Sequence, residues 1–192
     1  MEPRQPRLTY TVPLPGQQGR IRQMILYVAR KCESAQYFGA IKLNKIIWKA
    51  DFDAYAARRK PITGREYRRR YFGPALREML PVHREMQREG LIRVDLRDLG
   101  DGFVEQRTVA LSEADLRWFD QEDLSFVNAA IQYYWDKTGT EASDDSHGAA
   151  WRTRKDNDPM SYELAFLSDE PLDLPHLMHI ENLIYEKGWA SE

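Results

Sequence analysis

KLNKIIWKADFDAYAARRKPITGREYRRRYFGPALREML, residues 42–80, is the stretch on which the reading of the chain turns. Up to Arg58 its apolar residues Leu43, Ile46, Ile47, Ala50, Ala54 and Tyr55 recur at three- and four-residue spacing. That is the period of one helix face, and it predicts a helix over 39–58. Asp51 falls four residues after Ile47, at the edge of that face. The pattern then breaks. KPITG, residues 60–64, holds a proline and a glycine, which mark a turn. Residues 67–72 read as a short strand or extended segment. Gly73-Pro74 opens a further helix, since proline in a first turn loses no hydrogen bond. That helix carries Leu76, Met79, Leu80 and Met86, is interrupted at Pro81, and stops at Gly90.

Working outward, Ile21, Met24, Ile25, Val28, Ala29 and Cys32 give a second helical period over 20–33. Residues 1–19 contain prolines and glycines and lack the apolar core of a secretory signal, so they read as an extended arm. Residues 91–111 alternate apolar and polar around Gly100-Asp101-Gly102, the pattern of a hairpin. Ser112 with Asp115 three residues later suggests a capped helix. Further helices are expected over 121–137, 143–151 and 175–187, the last with Leu177, Ile180, Leu183 and Ile184 on one face. The sum is a mainly α, compact helical domain with one small β-hairpin. The order helix, helix, helix, hairpin over 20–111 also matches a winged-helix-like element in the N-terminal half.

Several function classes are disfavoured at this stage. A net charge of -2 exerts no global pull on nucleic acid or an anionic membrane, so any such role must come from a local patch. No apolar run approaches the ~20 residues of a membrane span. The single cysteine, Cys32, permits no internal disulfide and suits a reducing cytoplasm. His176 and His179 could share a helix face, but a zinc site needs three or four ligands, and no metal is expected. Ser146 and His147 follow Asp144 and Asp145, yet a catalytic serine must meet its base side chain to side chain, which sequence neighbours rarely do. There is no nucleophile elbow and no glycine-rich phosphate loop. No catalytic residue and no cofactor is expected.

The basic stretch is left. Arg58, Arg59, Lys60, Arg65, Arg68, Arg69 and Arg70 crowd together, with Arg77 just beyond. Guanidinium forks suit phosphate or carboxylate. Tyr67, Tyr71 and Phe72 could stack on bases or anchor a protein interface. A nucleic acid, an acidic protein partner and a merely solvated helix end all fit.

Here the motifs carry a resemblance. Lys42-Leu43, Ala50-Asp51-Phe52, Ile62-Thr63-Gly64, Tyr67, Gly73-Pro74, the EGLI of 89–92 and the SHGAAW of 146–151 are similar, in order and spacing, to the Panacea domain of SocA-like antitoxins. The resemblance spans about residues 21–167, and it assigns 20–192 to such a domain behind the 1–19 arm. It implies a non-enzymatic, cytoplasmic antitoxin of a bacterial or phage toxin–antitoxin pair. Such a protein neutralises a cognate toxin by direct occlusion, or hands it to a protease as an adaptor. The partner-binding residues expected are Tyr67, Arg69, Arg70, Tyr71, His147 and Trp151. Asp51, Thr63, Gly64, Gly73 and Pro74 are expected to shape the loop, with Asp51 pairing to an arginine of 65–70. The alternative is a winged-helix-like DNA-binding repressor, with the basic stretch feeding the helix at Pro74 and the hairpin as wing.

Overall fold

A computed structural model of the chain describes residues 8–100 and 102–170, and beyond them Pro175, Met178, His179, Asn182 and Glu186. The helix expected over 175–187, and with it His176, lies for the most part outside the described residues.

Helix α1 (Gln17–Lys31) buries Ile21, Met24, Ile25, Val28 and Ala29 along one stripe. Helix α2 (Ala40–Arg58) is different. It buries Leu43, Ile46, Ile47, Ala50, Phe52, Ala54 and Tyr55, and also Lys42, Lys45 and Asp51, on almost every side. A helix apolar all round belongs in a core. Among the elements that pack onto α2 are α1, a helix α4 (Gln121–Tyr134), a short helix α5 (Gly139–Asp145) and a 3-10 turn (Tyr162–Phe166). The two buried lysines are tolerated because their ammonium groups reach backbone carbonyls. Lys42 Nζ donates to Tyr37 O and Trp135 O, both at 2.7 Å.

After α2 come two very short strands, β1 (Tyr67–Arg68) and β2 (Ala75–Leu76), then helix α3 (Met79–Arg88) and the hairpin of β3 (Ile92–Asp98) and β4 (Val104–Ala110). A four-residue helix α6 (Ala149–Arg152) and a last strand β5 (Pro159–Met160) follow α5. The strands make two antiparallel sheets, β2-β1-β5 and β3-β4. Tyr67 sits opposite both Leu76 and Met160.

The fold class is therefore corrected. Of the described residues 49% are helical and 13% lie in strands of two sheets, a mixed fold and not a mainly α one with a single hairpin. Strands of two residues are too short to show a period of two, and β1 finds β5 some ninety residues away in sequence. The winged-helix-like element is corrected on the same segment. Between α2 and α3 lies no short turn but a loop carrying two strands of a sheet completed by β5.

Local expectations shift too. Pro74 precedes a strand, and the helix begins at Met79, with Pro81 its third residue. There the missing N–H has no intrahelical partner to lose, so no interruption arises. The Ser112 helix shrinks to a 3-10 turn, Leu116–Trp118, capped by Asp115. The segment expected as one helix over 143–151 is α5, capped by Thr138 with Glu141, and then α6, parted at Ser146-His147-Gly148.

Arg20 ties three helices together. Its guanidinium donates to Ile62 O at 2.7 Å, to Trp118 O, and to Asp123 Oδ2 of α4 at 3.0 Å. Arg58 of α2 reaches the other oxygen of Asp123. Both side chains of the Arg20–Asp123 pair are almost wholly buried. Removing one partner of such a pair strands the other charge. Arg20→Ala is expected to cost about 3–5 kcal/mol in urea denaturation. Arg93→Ala, at the exposed Arg93–Asp95 pair, should cost under ~1 kcal/mol.

Candidate functional site

The site grows from Asp51. Its carboxylate is fully buried, in mid-helix, where no water reaches it. The chain after α2 folds over it. Oδ1 accepts the backbone N–H groups of Ile62 and Thr63, both at 2.7 Å. Oδ2 accepts the Thr63 hydroxyl and the Tyr67 hydroxyl, the latter at 2.8 Å. The Tyr162 hydroxyl lies 3.4 Å away and donates to Arg65 O at 2.8 Å. Burial pushes the Asp51 carboxyl up, and the bonds from Thr63, Tyr67 and Ile62 pull it back toward the charged form. None of these donors is an arginine, so the expected ion pair with the 65–70 segment does not form.

Two glycines hold the loop close. Gly64 has φ +66°, and a Cβ there would lie 2.1 Å from Val12 O. Val12 N donates to Gly64 O at 2.9 Å, and Tyr162 N donates to Thr9 O at 2.8 Å, so residues 9–12 lie against the loop and the 162 turn. Gly73, at φ +90°, sits on Ser146 Oγ and Lys45 Nζ with no room for a side chain. Lys45 Nζ donates to Pro74 O at 2.7 Å. Desolvation pulls its pKa down to about 7.

The exposed end of the loop is a β-turn. Arg70 O accepts Gly73 N–H at 3.0 Å, which puts Tyr71 and Phe72 at the corners. The same carbonyl accepts the Trp151 indole N–H at 2.8 Å. Trp151 is in turn stacked by His147, with ring centroids 3.9 Å apart, and by the Arg69 guanidinium at 3.8 Å. Burial and the nearby Lys45 charge hold the His147 imidazole below its ordinary range. Tyr71 and Phe72 are 77% and 55% exposed and meet edge to face at 5.0 Å.

The basic run is mostly spoken for. Arg58 pairs with Glu122 and Asp123, Arg65 with Glu78, Arg68 with Glu66, and Arg69 with Asp156 at 3.5 Å. Of the six partner-binding residues expected from the sequence, Tyr67 is buried and belongs to the Asp51 network. Arg69, His147 and Trp151 form the stack behind the turn. Arg70 donates to Asn157 Oδ1 at 3.1 Å, and Tyr71 projects. Asp51, Thr63, Gly64, Gly73 and Pro74 all sit within the loop's buried side. Phe72, named with Tyr67 and Tyr71 as a possible anchor but left out of the partner-binding set, stands beside Tyr71 before Gly-Pro. Two residues were missed as site residues. Lys45 falls outside the apolar spacing that marks the inner face of α2. Tyr162 lies too far along the chain to be connected by pattern.

Among the described residues no group of three or more His, Cys, Asp and Glu could hold a metal. No helix among them is long and apolar enough to cross a membrane.

A family model described as "Antitoxin SocA-like, Panacea domain" matches residues 43–152, more than half of the chain. The chain belongs to this family. No curated protein and no solved structure matches it. The Panacea match contains the whole loop from Asp51 to Pro74 and the Ser146–Trp151 segment that supports it. It stops short of Met160 and Tyr162, which complete the sheet and the buried network from outside the matched residues.

Asp51→Ala would leave two buried amides and two hydroxyls without an acceptor, and a loss of about 3–5 kcal/mol is expected by urea denaturation. Asp51→Asn keeps one oxygen for the amides and should lose clearly less. Lys45 gives a pH test. Its folded pKa lies below that of the unfolded chain, so between about 7 and 10.5 the unfolded state binds more protons. Stability relative to Lys45→Met should rise across that window, by at most ~1.4 kcal/mol per pH unit, and stay level below it. A level difference across the window would contradict a buried, depressed Lys45.

Proposed function

We propose that this Panacea protein is a cytoplasmic, non-enzymatic antitoxin that neutralises its cognate toxin by direct occlusion. The docking surface is centred on Tyr71 and Phe72 and flanked by Arg70 and the His147–Trp151 stack. The observation that carries the reading is the turn itself. Two large aromatic side chains are held out in water by a backbone fixed from behind by Trp151, Gly73 and Lys45. Adjoining exposed aromatics form an apolar patch of the kind that marks an interaction surface. Rigid ones lose little entropy on binding, which is how interface anchors work. A partner covering ~800 Å² of this chain would be of ordinary interface size. Arg69 acts here as support for the turn and not as a contact.

The test is co-expression with the toxin encoded beside this protein, read by growth rescue and by pull-down. Tyr71→Ala with Phe72→Ala should abolish rescue and weaken the complex at least ~100-fold, with the urea midpoint unchanged. Rescue by the double variant would move the docking surface elsewhere. Rescue by the wild type that vanishes in a protease-deficient host would favour the adaptor mechanism over occlusion.

A further inference from the structure

Beside the aromatic turn lies a groove of about 730 Å³ between the first turns of α2, helix α3 and the β3–β4 hairpin. Its floor is apolar, made by Leu43, Leu76, Met79 and Val94. Leu80 stands on its lip, 59% exposed. Arg68, Arg70, Arg77 and Arg84 reach its rim, and no aspartate or glutamate is among its lining residues. That is unusual for a chain with 30 acids and 28 bases.

The arginines differ in how far they are committed. Arg68 and Arg77 share Glu66, which sits behind them and is largely covered. Arg77 is nonetheless 59% exposed at the side chain. The Arg70 side chain makes one hydrogen bond among the described residues, to the neutral Asn157 side chain. Arg84 has no ion-pair or hydrogen-bond partner among the described residues. His83, in the wall, meets Thr108 Oγ at 2.8 Å, and its burial favours the neutral ring. The groove therefore presents a surplus of positive charge above an apolar floor. It is continuous with the depression under Tyr71 and Phe72, with which it shares Ala40, Asn44, Arg70 and Ala75.

We infer that this groove receives an acidic, amphipathic segment of the toxin, its apolar side chains on the floor and its carboxylates against Arg70, Arg77 and Arg84. The inference rests on the antitoxin reading above and extends it from an aromatic anchor to a second, chemically distinct subsite. Apolar side chains between charges are the complement of this lining. A nucleic-acid backbone would satisfy the arginines but leave the floor and Leu80 unmatched, and the chain's net charge gives a long polyanion no general attraction.

The test uses the full chain and the toxin encoded beside it. Leu80→Glu with Arg84→Glu changes two exposed side chains, so the urea midpoint should hold. Affinity for the toxin should fall about 100-fold or more, and growth rescue should fail. A photo-crosslinker placed at Leu80 should capture a toxin peptide rich in Asp or Glu, and changing those acids to Lys should restore binding to the charge-reversed antitoxin. If the wild type neutralises and the Tyr71/Phe72 variant does not, but the Leu80/Arg84 variant binds like wild type, the groove assignment is overturned and the antitoxin reading stands. If the wild type neither binds nor rescues, both fall together. Crosslinking to a segment without acids, or salt-sensitive DNA binding that Arg84→Glu removes, would also overturn it.

Discussion

Asp51 is a carboxylate in the middle of the central helix, fully buried and with no ion-pair partner among the described residues. Leaving such a group unsatisfied would cost several kcal/mol, so the chain beyond α2 must bring donors to it. It does so with two consecutive backbone amides and two hydroxyls, and that requirement dictates the path of residues 61–67. The rest of the site inherits this path. With Thr63 and Tyr67 pinned, β1 is in register with β2 and β5, Gly64 receives the 9–12 segment, and the chain emerges at Arg70 aimed at Trp151. A single acid on the inner face of a helix thus sets the geometry of a surface on the outside of the molecule.

The arginine-rich run illustrates how charge density misleads when partners are hidden. Read as a string, 58–70 looks like a patch. Folded, most of its members hold the structure together, each opposite a carboxylate or an indole supplied from elsewhere. Exposed pairs of this kind contribute little each. The Arg20–Asp123–Arg58 group is different, because its burial makes every member necessary once the others are there. Less committed positive charge collects in the groove beside α3, where Arg70 and Arg77 of the basic run meet Arg84 of the helix.

The surface proposed for the toxin combines two kinds of contact with different work to do. Tyr71 and Phe72 offer apolar area on a backbone that does not need to be ordered on binding. The groove offers charge, which speeds and orients encounter and discriminates between partners more than it adds raw affinity.

The sequence by itself determined the elements whose physics is local. The α1 and α2 helices follow from apolar spacing, the hairpin from alternation around its glycines, and the family from motifs in order along the chain. The sequence also marked Gly64 as a turn residue. Only the tertiary structure decided that Tyr67 points inward, that Asp51 meets hydroxyls and amides and not an arginine, and that β1 pairs with β5 across some ninety residues. It alone showed that Arg69 stacks on Trp151 and that Arg84 has no ion-pair or hydrogen-bond partner among the described residues. The reason is the same in each case. Helical period and turn chemistry are written within a few residues of where they act. The partner of a buried or paired polar group comes from a remote segment, and which one arrives is settled only when the core closes.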